Sequence, residues 1–469
     1  MSDETASADQ PRRILVVGHG VAGQSIAADA RANGDVVVGF LDDDTSSPAV
    51  LGTLREVNAV VRAQSVDLVY FAIPTIDAGS LREFISGLDA GLALSILPRT
   101  YKTISSETVS IADLTDVDVL QLVGRQPVKH DLLAAREMVS GRRALVTGAA
   151  GSIGSRLTEH LLNLGAESVT AFDWWENGLF RLANDLDDPR LQIVLGDVKN
   201  RTRVQKVFAE RQPELVFHAA AYKHVPMAED NPTEALANNT LGAETVLAAA
   251  IVAGVSHAVY VSTDKAVRPA NVMGATKRLG ELLMRDLAQH SGSTKLTAVR
   301  FGNVLQSNGS VMETFRRQIE AGGPLTVTHR DVTRYFMTID EAAQLIIQSA
   351  LLGANGDICV LDMGEPVRIL DLAQSLVKAT APEVQIEITQ LRPGEKLYEE
   401  LTYNPNLATG TENSKVFILG VEQEMDIPVS DIRRATAAAL AGEADDSAVR
   451  DSLAAMGFAI SRRENETSR

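Results

Sequence analysis

Thr147-Gly148-Ala149-Ala150-Gly151-Ser152-Ile153-Gly154 follows the apolar run 144–147 and opens a stretch in which Leu157, Leu161 and Leu162 share one helical face. Strand, glycine turn and helix in that order make the phosphate-binding start of a doubly wound α/β fold. Gly148 permits the tight turn, Gly151 lets backbone approach a pyrophosphate, and Gly154 lets the helix pack close. Ser152 and Ile153 open the helix, whose free N–H groups and positive dipole end face the phosphates. Asp173 follows the next predicted strand, 168–172, where a carboxylate accepts hydrogen bonds from an adenosine ribose. The same charge repels a 2'-phosphate, so NAD is expected over NADP.

Further strands are predicted at 191–195, 215–218, 258–262 and 296–301, with helical patterns between them as parallel crossovers require. Asp197 and Val198 close the third strand and suit an adenine edge, although Asp197 reads equally well as a helix cap before Lys199. Ala219, Ala220 and Ala221 end the fourth with side chains small enough for a cofactor to lie on backbone, and Asn239 is counted with the cofactor residues. A second glycine turn, Gly18 to Gly23 with Asp42, lies in a smaller Rossmann-like domain over 12–98, with strands at 14–17, 36–41, 67–73 and 92–97. There a nucleotide site and a structural turn both remain open. Residues 99–140 read as a packed linker with β-like pieces at 109–111 and 117–123 and a helix from 132. Residues 141–302 form the cofactor-binding core, 303–460 a C-terminal substrate lobe, and 1–11 and 461–469 polar ends.

Composition narrows the function. The 469 residues are 45% hydrophobic and 22% charged, a globular balance that suits two or three domains. A net charge of −17 argues against nonspecific nucleic-acid binding, which needs an excess of Lys and Arg. The single Cys359 rules out a disulfide framework or a cysteine-rich zinc site, the histidines lack paired metal spacing, and no metal is expected. No apolar run approaches the roughly 20 residues of a membrane span, and residues 1–10 lack the pattern of an export signal. The expected location is the cytoplasm.

Chemistry concentrates in Ser262-Thr263-Asp264-Lys265, followed by Met273 and Lys277. The pattern is similar to short-chain dehydrogenases, where a Ser or Thr after the fifth strand pairs with Tyr-x-x-x-Lys. Thr263 and Lys277 match, but Met273 stands at the tyrosine, and a thioether cannot ionise. Oxidation needs only a hydroxyl-polarising group and a lysine. The adjacent Asp264-Lys265 therefore suggests a second step, in which a proton is removed and a leaving group protonated.

The chain resembles the CapD-like polysaccharide biosynthesis family of nucleotide-sugar dehydratases, long form, densely over 143–403. The motifs are His218-Ala219-Ala220-Ala221-Tyr222-Lys223-His224-Val225-Pro226-Met227, Asn271-Val272-Met273-Gly274-Ala275-Thr276-Lys277, Arg300-Phe301-Gly302-Asn303-Val304, Thr333-Arg334-Tyr335-Phe336-Met337-Thr338 and Leu391-Arg392-Pro393-Gly394-Glu395-Lys396. Long-form members characteristically carry methionine at position 273. Many also carry membrane helices ahead of the first domain, which are not found here. The resemblance implies a UDP-N-acetylglucosamine 4,6-dehydratase that retains configuration at carbon 5, works as a homo-oligomer and serves surface polysaccharide synthesis. Its reaction oxidises carbon 4 with bound NAD, eliminates water across carbons 5 and 6, and returns the hydride to carbon 6. On that reading Thr263 holds the carbon-4 oxygen, Lys277 the nicotinamide ribose, Asp264 protonates the leaving oxygen, and neutral Lys265 takes the carbon-5 proton. Met273 is expected semi-exposed beside the nicotinamide. Lys223 and His224 would line the sugar pocket, with Asn303, Arg334, Arg392 and Glu395 around the UDP. A 4-epimerase or a non-catalytic nucleotide-binding regulator would use the same fold without elimination.

Overall fold

The computed structural model describes residues 11–89, 92–97, 115–116, 132–305, 307, 309–420 and 427–460. It divides into two compact units. The first comprises Met1–Pro127, Thr314–Arg330 and Val367–Thr389, so two segments that the sequence reading places in the substrate lobe belong to it. Its sheet runs β3 (Val50–Gly52), β2 (Val36–Leu41), β1 (Arg13–Val17), β4 (Leu68–Phe71), β5 (Ala93–Ile96) and β6 (Thr115–Asp116), parallel except for β6. Ile14 to Val17 are fully buried, as a central parallel strand covered on both faces requires. Gly18 takes φ +103°, and Asp42 accepts from the His19 N–H at 2.7 Å, closing the turn on β2. The predicted pieces 109–111 and 117–123 lie outside the described residues.

The second unit comprises Val128–Glu313, Asp331–Pro366 and Gln390–Arg469. Its strands are β7 (Arg143–Thr147), β8 (Ser168–Asp173), β9 (Leu191–Leu195), β10 (Leu215–His218), β11 (His257–Val261) and β12 (Lys295–Arg300), within one residue of the predicted bounds. They lie in the order β9-β8-β7-β10-β11-β12, all parallel, and Ile358–Leu361 continues the sheet in parallel. Two antiparallel strands, Val416–Leu419 and Ala408–Gly410, finish it, and the lobe thus returns chain to the core sheet. Alternation along the strands feeds two cores: Val146, Ala171, Phe217 and Val259 point to one face, and Leu145, Phe172, Val216 and Tyr260 to the other. Cys359 is buried in this sheet, and burial pushes its thiol up to about 12.

Strand order reverses between β7 and β10, which is where an open α/β sheet leaves a crevice at its C-terminal edge. The crossover Pro232–Val252 is long and apolar enough to cross a membrane, but 83% of its apolar window is buried within the fold. A π-helical turn, Ala237–Leu241, interrupts it.

Candidate active site

A cavity of about 910 Å³ opens over the C-terminal strand ends of the second unit. At one end Gly148, at φ +70°, lies so near β10 that a Cβ would sit 2.5 Å from Ala220 N. A Cβ on Gly154 would be 2.0 Å from Gly148 O, so any side chain at either position would collapse the turn. Gly151 caps the helix Ser152–Asn163, and Ser152, Ile153, Val198, Ala219, Ala220 and Ala221 share the wall. Asp173 ends β8 with its carboxylate against the turn, accepting from Ala150 N–H and Trp175 N–H, both at 3.0 Å. This cradle of bare backbone, helix N-terminus and carboxylate fits a dinucleotide.

Two expected cofactor residues have other work. The Asp197 carboxylate accepts from the Lys199 N–H at 2.8 Å, while Asn200 caps the helix Arg201–Arg211, so Asp197 shapes a turn and the wall here is Gly196 and Val198. Asn239 is fully buried: it accepts from Tyr222 N–H at 2.7 Å and donates to Tyr222 O and Thr276 Oγ1. It pins the loop that carries Lys223, and its neighbour Asn238 lines the cavity.

At the chemical end the helix Val272–Ala288 starts at Asn271, whose side chain caps Gly274 N–H at 2.7 Å. Lys277 Nζ donates to Val261 O at 2.6 Å and lies 4.1 Å from the Tyr260 ring centre. Burial lowers this ammonium to about 7, although the Glu281 charge one turn on opposes the shift. Met273 touches the cavity but is only 3% exposed, within an apolar cluster with Leu236 and Leu282. The expected semi-exposed position is therefore corrected: helix packing closes around it.

Thr263 donates to Asp264 Oδ1 at 2.9 Å, and Lys265 Nζ donates to the same oxygen at 2.9 Å and to Asn303 Oδ1 at 3.3 Å. Thr263, Lys265 and Asn303 line the cavity, with the fully buried Asp264 behind them. Burial alone would lower the Lys265 ammonium, but Asp264 and Glu399 outweigh it and raise its pKa. The sequence reading asks for a neutral Lys265, whereas these neighbouring carboxylates favour its charged form.

Lys223 and His224 also face the cavity. Burial lowers the Lys223 ammonium, and burial with that neighbouring charge lowers the His224 imidazole. Arg334, Arg392 and Glu395 cluster off the wall: Arg334 donates to Glu395 Oε1 at 3.1 Å, and Glu395 Oε2 accepts from Arg392 N–H at 3.2 Å. Arg334 and Glu395, expected at the UDP, pair with each other here, while Arg392 is exposed and only its backbone N–H joins the pair. Gly394 O accepts from Asn271 Nδ2 at 2.9 Å, so their segment braces the start of the helix that carries Met273 and Lys277.

Other residues at the site went unread in the sequence. Glu281, four residues after Lys277, is fully buried; Arg300 grips both its oxygens at 2.7 and 2.8 Å, with Arg278 at 2.9 Å and Ser262 at 2.7 Å. Despite burial, the Arg300 charge takes this carboxyl down to about 2. His218 meets Thr147 Oγ1 at 2.6 Å and stacks on Tyr260, and burial, joined by Lys277, takes its imidazole down to about 3. Trp174 and Trp175 stand on the wall directly after Asp173. Helical spacing from Lys277 points to Glu281. Glu399 lies far along the chain, and no local pattern points to it. Among the described residues, no group of three His, Cys, Asp or Glu is placed to hold a metal ion.

Sheet order, glycine cradle and the acidic end of β8 define an NAD-binding enzyme of the short-chain dehydrogenase/reductase class, in its dehydratase and epimerase branch. The chain belongs to the polysaccharide biosynthesis protein family, whose pattern matches residues 144–420. It is 37% identical over 451 residues to the capsular polysaccharide biosynthesis protein CapD of Staphylococcus aureus, covering 91% of this chain and 75% of that one. It is 35% identical over 278 residues to the UDP-glucose 4-epimerase of Rickettsia akari, covering 58% of this chain and 80% of that one. Among solved structures, the dTDP-glucose 4,6-dehydratase DesIV of Streptomyces venezuelae, with NAD and TYD bound, aligns at TM-score 0.50 and 25% identity, over 55% of this chain and 88% of that one.

Proposed function

We propose that the protein is a nucleotide-sugar 4,6-dehydratase acting on UDP-N-acetylglucosamine with configuration at carbon 5 retained, in surface polysaccharide synthesis. The observation that carries this reading is the Asp264–Lys265 pair, joined at 2.9 Å, with Lys265 on the cavity wall beside Thr263. Epimerisation has no leaving group and needs no such pair.

Gly148, Gly151, Gly154 and Asp173 would hold NAD, which would supply the hydride acceptor for carbon 4 and the hydride donor for carbon 6. Thr263 hydrogen-bonds the carbon-4 oxygen. Lys277, titrating near neutrality, takes up the proton that this hydroxyl gives up, a task the Met273 thioether cannot perform. Lys265 removes the proton from carbon 5, which the new ketone makes acidic, and Asp264 protonates the oxygen leaving carbon 6. The resting ionic pair differs from this reactive pair by one proton across their hydrogen bond. Lys223 and His224 add donors for the sugar and diphosphate.

Mass spectrometry of the product separates the readings, because dehydration removes one water and epimerisation changes no mass. In deuterated solvent the converted sugar should carry label at carbon 5. Asp264→Asn and Lys265→Ala should each abolish product while NAD stays bound. An unchanged mass with every UDP-hexose, or wild-type turnover in both variants, sinks the proposal.

A further inference from the structure

Two buried carboxylate oxygens in one cluster, Asp264 Oδ2 and Glu399 Oε2, have no hydrogen-bond partner among the described residues. Glu399 is 3% exposed, and its other oxygen lies 3.8 Å from Lys265 Nζ and 3.9 Å from Arg334 Nε. The charged groups facing it are Lys265 and Asp264 from the turn after β11, Arg334 from the strand Thr333–Arg334, and Lys396 on its own segment. None of these cations belongs to Glu399 alone. Lys265 is closer to Asp264, Arg334 is closer to Glu395, and Lys396 donates to Val267 O at 2.8 Å.

A buried carboxyl oxygen that accepts no hydrogen bond is better accommodated carrying a proton than a charge. Burial raises the Glu399 pKa, the Lys265 charge opposes the rise, and the net direction is upward. We infer that Glu399 is a positioning residue, protonated in the working enzyme, that decides which of Asp264 and Lys265 holds their shared proton. With Glu399 ionised, Lys265 lies between two anions and keeps its proton. With Glu399 neutral, one anion is gone, and the proton can pass from Lys265 Nζ to Asp264. One N–H bond breaks, one O–H bond forms, and nothing else is consumed. The products are the amine base and carboxylic acid that elimination needs. This inference rests on the dehydratase reading above.

The test compares the pH profile of kcat/KM for wild-type holoenzyme and Glu399→Gln with UDP-N-acetylglucosamine. Raising the pH through the Glu399 pKa ionises it and locks the Lys265 proton, so wild-type turnover falls along an alkaline limb. Glutamine cannot ionise, and the limb should move up by about one pH unit or more. Superimposed profiles overturn the inference, as does a folded, NAD-retaining variant that is inactive at every pH. Should the variant fail to fold, infrared spectroscopy of the wild type decides. A carboxylic-acid carbonyl band that persists above the ordinary carboxylate range and titrates with the limb supports the inference, and its absence overturns it. If the wild type dehydrates no UDP-hexose, the dehydratase reading is what fails, and the infrared band still reports whether Glu399 is protonated.

Discussion

Replacing Lys277 with methionine should stabilise the protein while abolishing its activity. The folded state holds this ammonium at about 7 against a reference of 10.5. Between those values the unfolded chain binds more protons than the folded one, so stability rises with pH across that window. The penalty for burying the lysine is fullest below pH 7, about 5 kcal/mol, falls to about 3 kcal/mol at pH 8, and vanishes near 10.5. Methionine fills similar volume without a charge, but forfeits the donor to Val261 O, a loss of about 1 kcal/mol. The net gain is about 4 kcal/mol at pH 6 and about 2 kcal/mol at pH 8. Trp174 and Trp175, the two tryptophans of the chain, both lie in the second unit, so urea titrations followed by their fluorescence report that unit. Comparing cofactor-free wild type and Lys277→Met at pH 6, 8 and 10 gives the curve. A less stable variant at pH 6, or a difference that does not shrink towards pH 10, would refute a depressed lysine.

Three other substitutions probe the site's supports. Glu281→Gln removes the carboxylate that Arg300 and Arg278 grip in the buried cluster and should cost about 3–5 kcal/mol, read as a lower unfolding midpoint; a loss under about 1 kcal/mol would show that these ion pairs contribute little to stability. Trp174 stands 62% exposed on the cavity wall beside Asp173, as a stacking surface for an adenine would. Trp174→Ala should weaken NAD binding by about 1–3 kcal/mol and diminish the fluorescence change that NAD produces in the wild type; unaltered affinity removes the stacking role. Met273→Tyr introduces a larger, polar-tipped ring at a 3% exposed position and should cost about 1–3 kcal/mol in thermal stability; an unshifted midpoint would mean the ring escapes into the cavity.

The sequence carried the second unit's core because each of its strands is a short apolar run and its turn glycines have no alternative. A Cβ 2.0 Å from Gly148 O is a local fact, readable as a spacing of glycines. Strand Ile358–Leu361 and its antiparallel neighbours were harder to read, since they join the sheet from across a long insertion. Site residues divide the same way. Thr263, Lys265 and Lys277 follow from position at the end of β11 and along one helix, and the structure brings them to one wall. The pairing of Arg334 with Glu395 and the approach of Glu399 to Lys265 are set by a two-residue strand and a loop segment, too short or too irregular to carry a periodicity. Met273 shows the limit of motif position: its place near the chemistry was legible, but its burial depends on an apolar cluster that includes Leu236 from another helix.

The same distribution of charge explains why both lysines can act from one strand end. Lys277 is buried beside a glutamate already claimed by two arginines, so little negative charge remains to hold its proton. Lys265 sits 2.9 Å from one carboxylate and 3.8 Å from another, and keeps its proton until one of them is neutralised. Two identical side chains, one on the turn after β11 and one on the helix Val272–Ala288, thereby differ in when they release a proton, as oxidation at carbon 4 followed by proton removal at carbon 5 requires. Swapping their environments rather than their identities is the discriminating perturbation. Glu281→Gln should lower the Lys277 pKa further and leave the Lys265 limb in place, whereas Glu399→Gln should move only the Lys265 limb. If either variant moves both limbs together, the two lysines titrate as one coupled group and the division of labour fails.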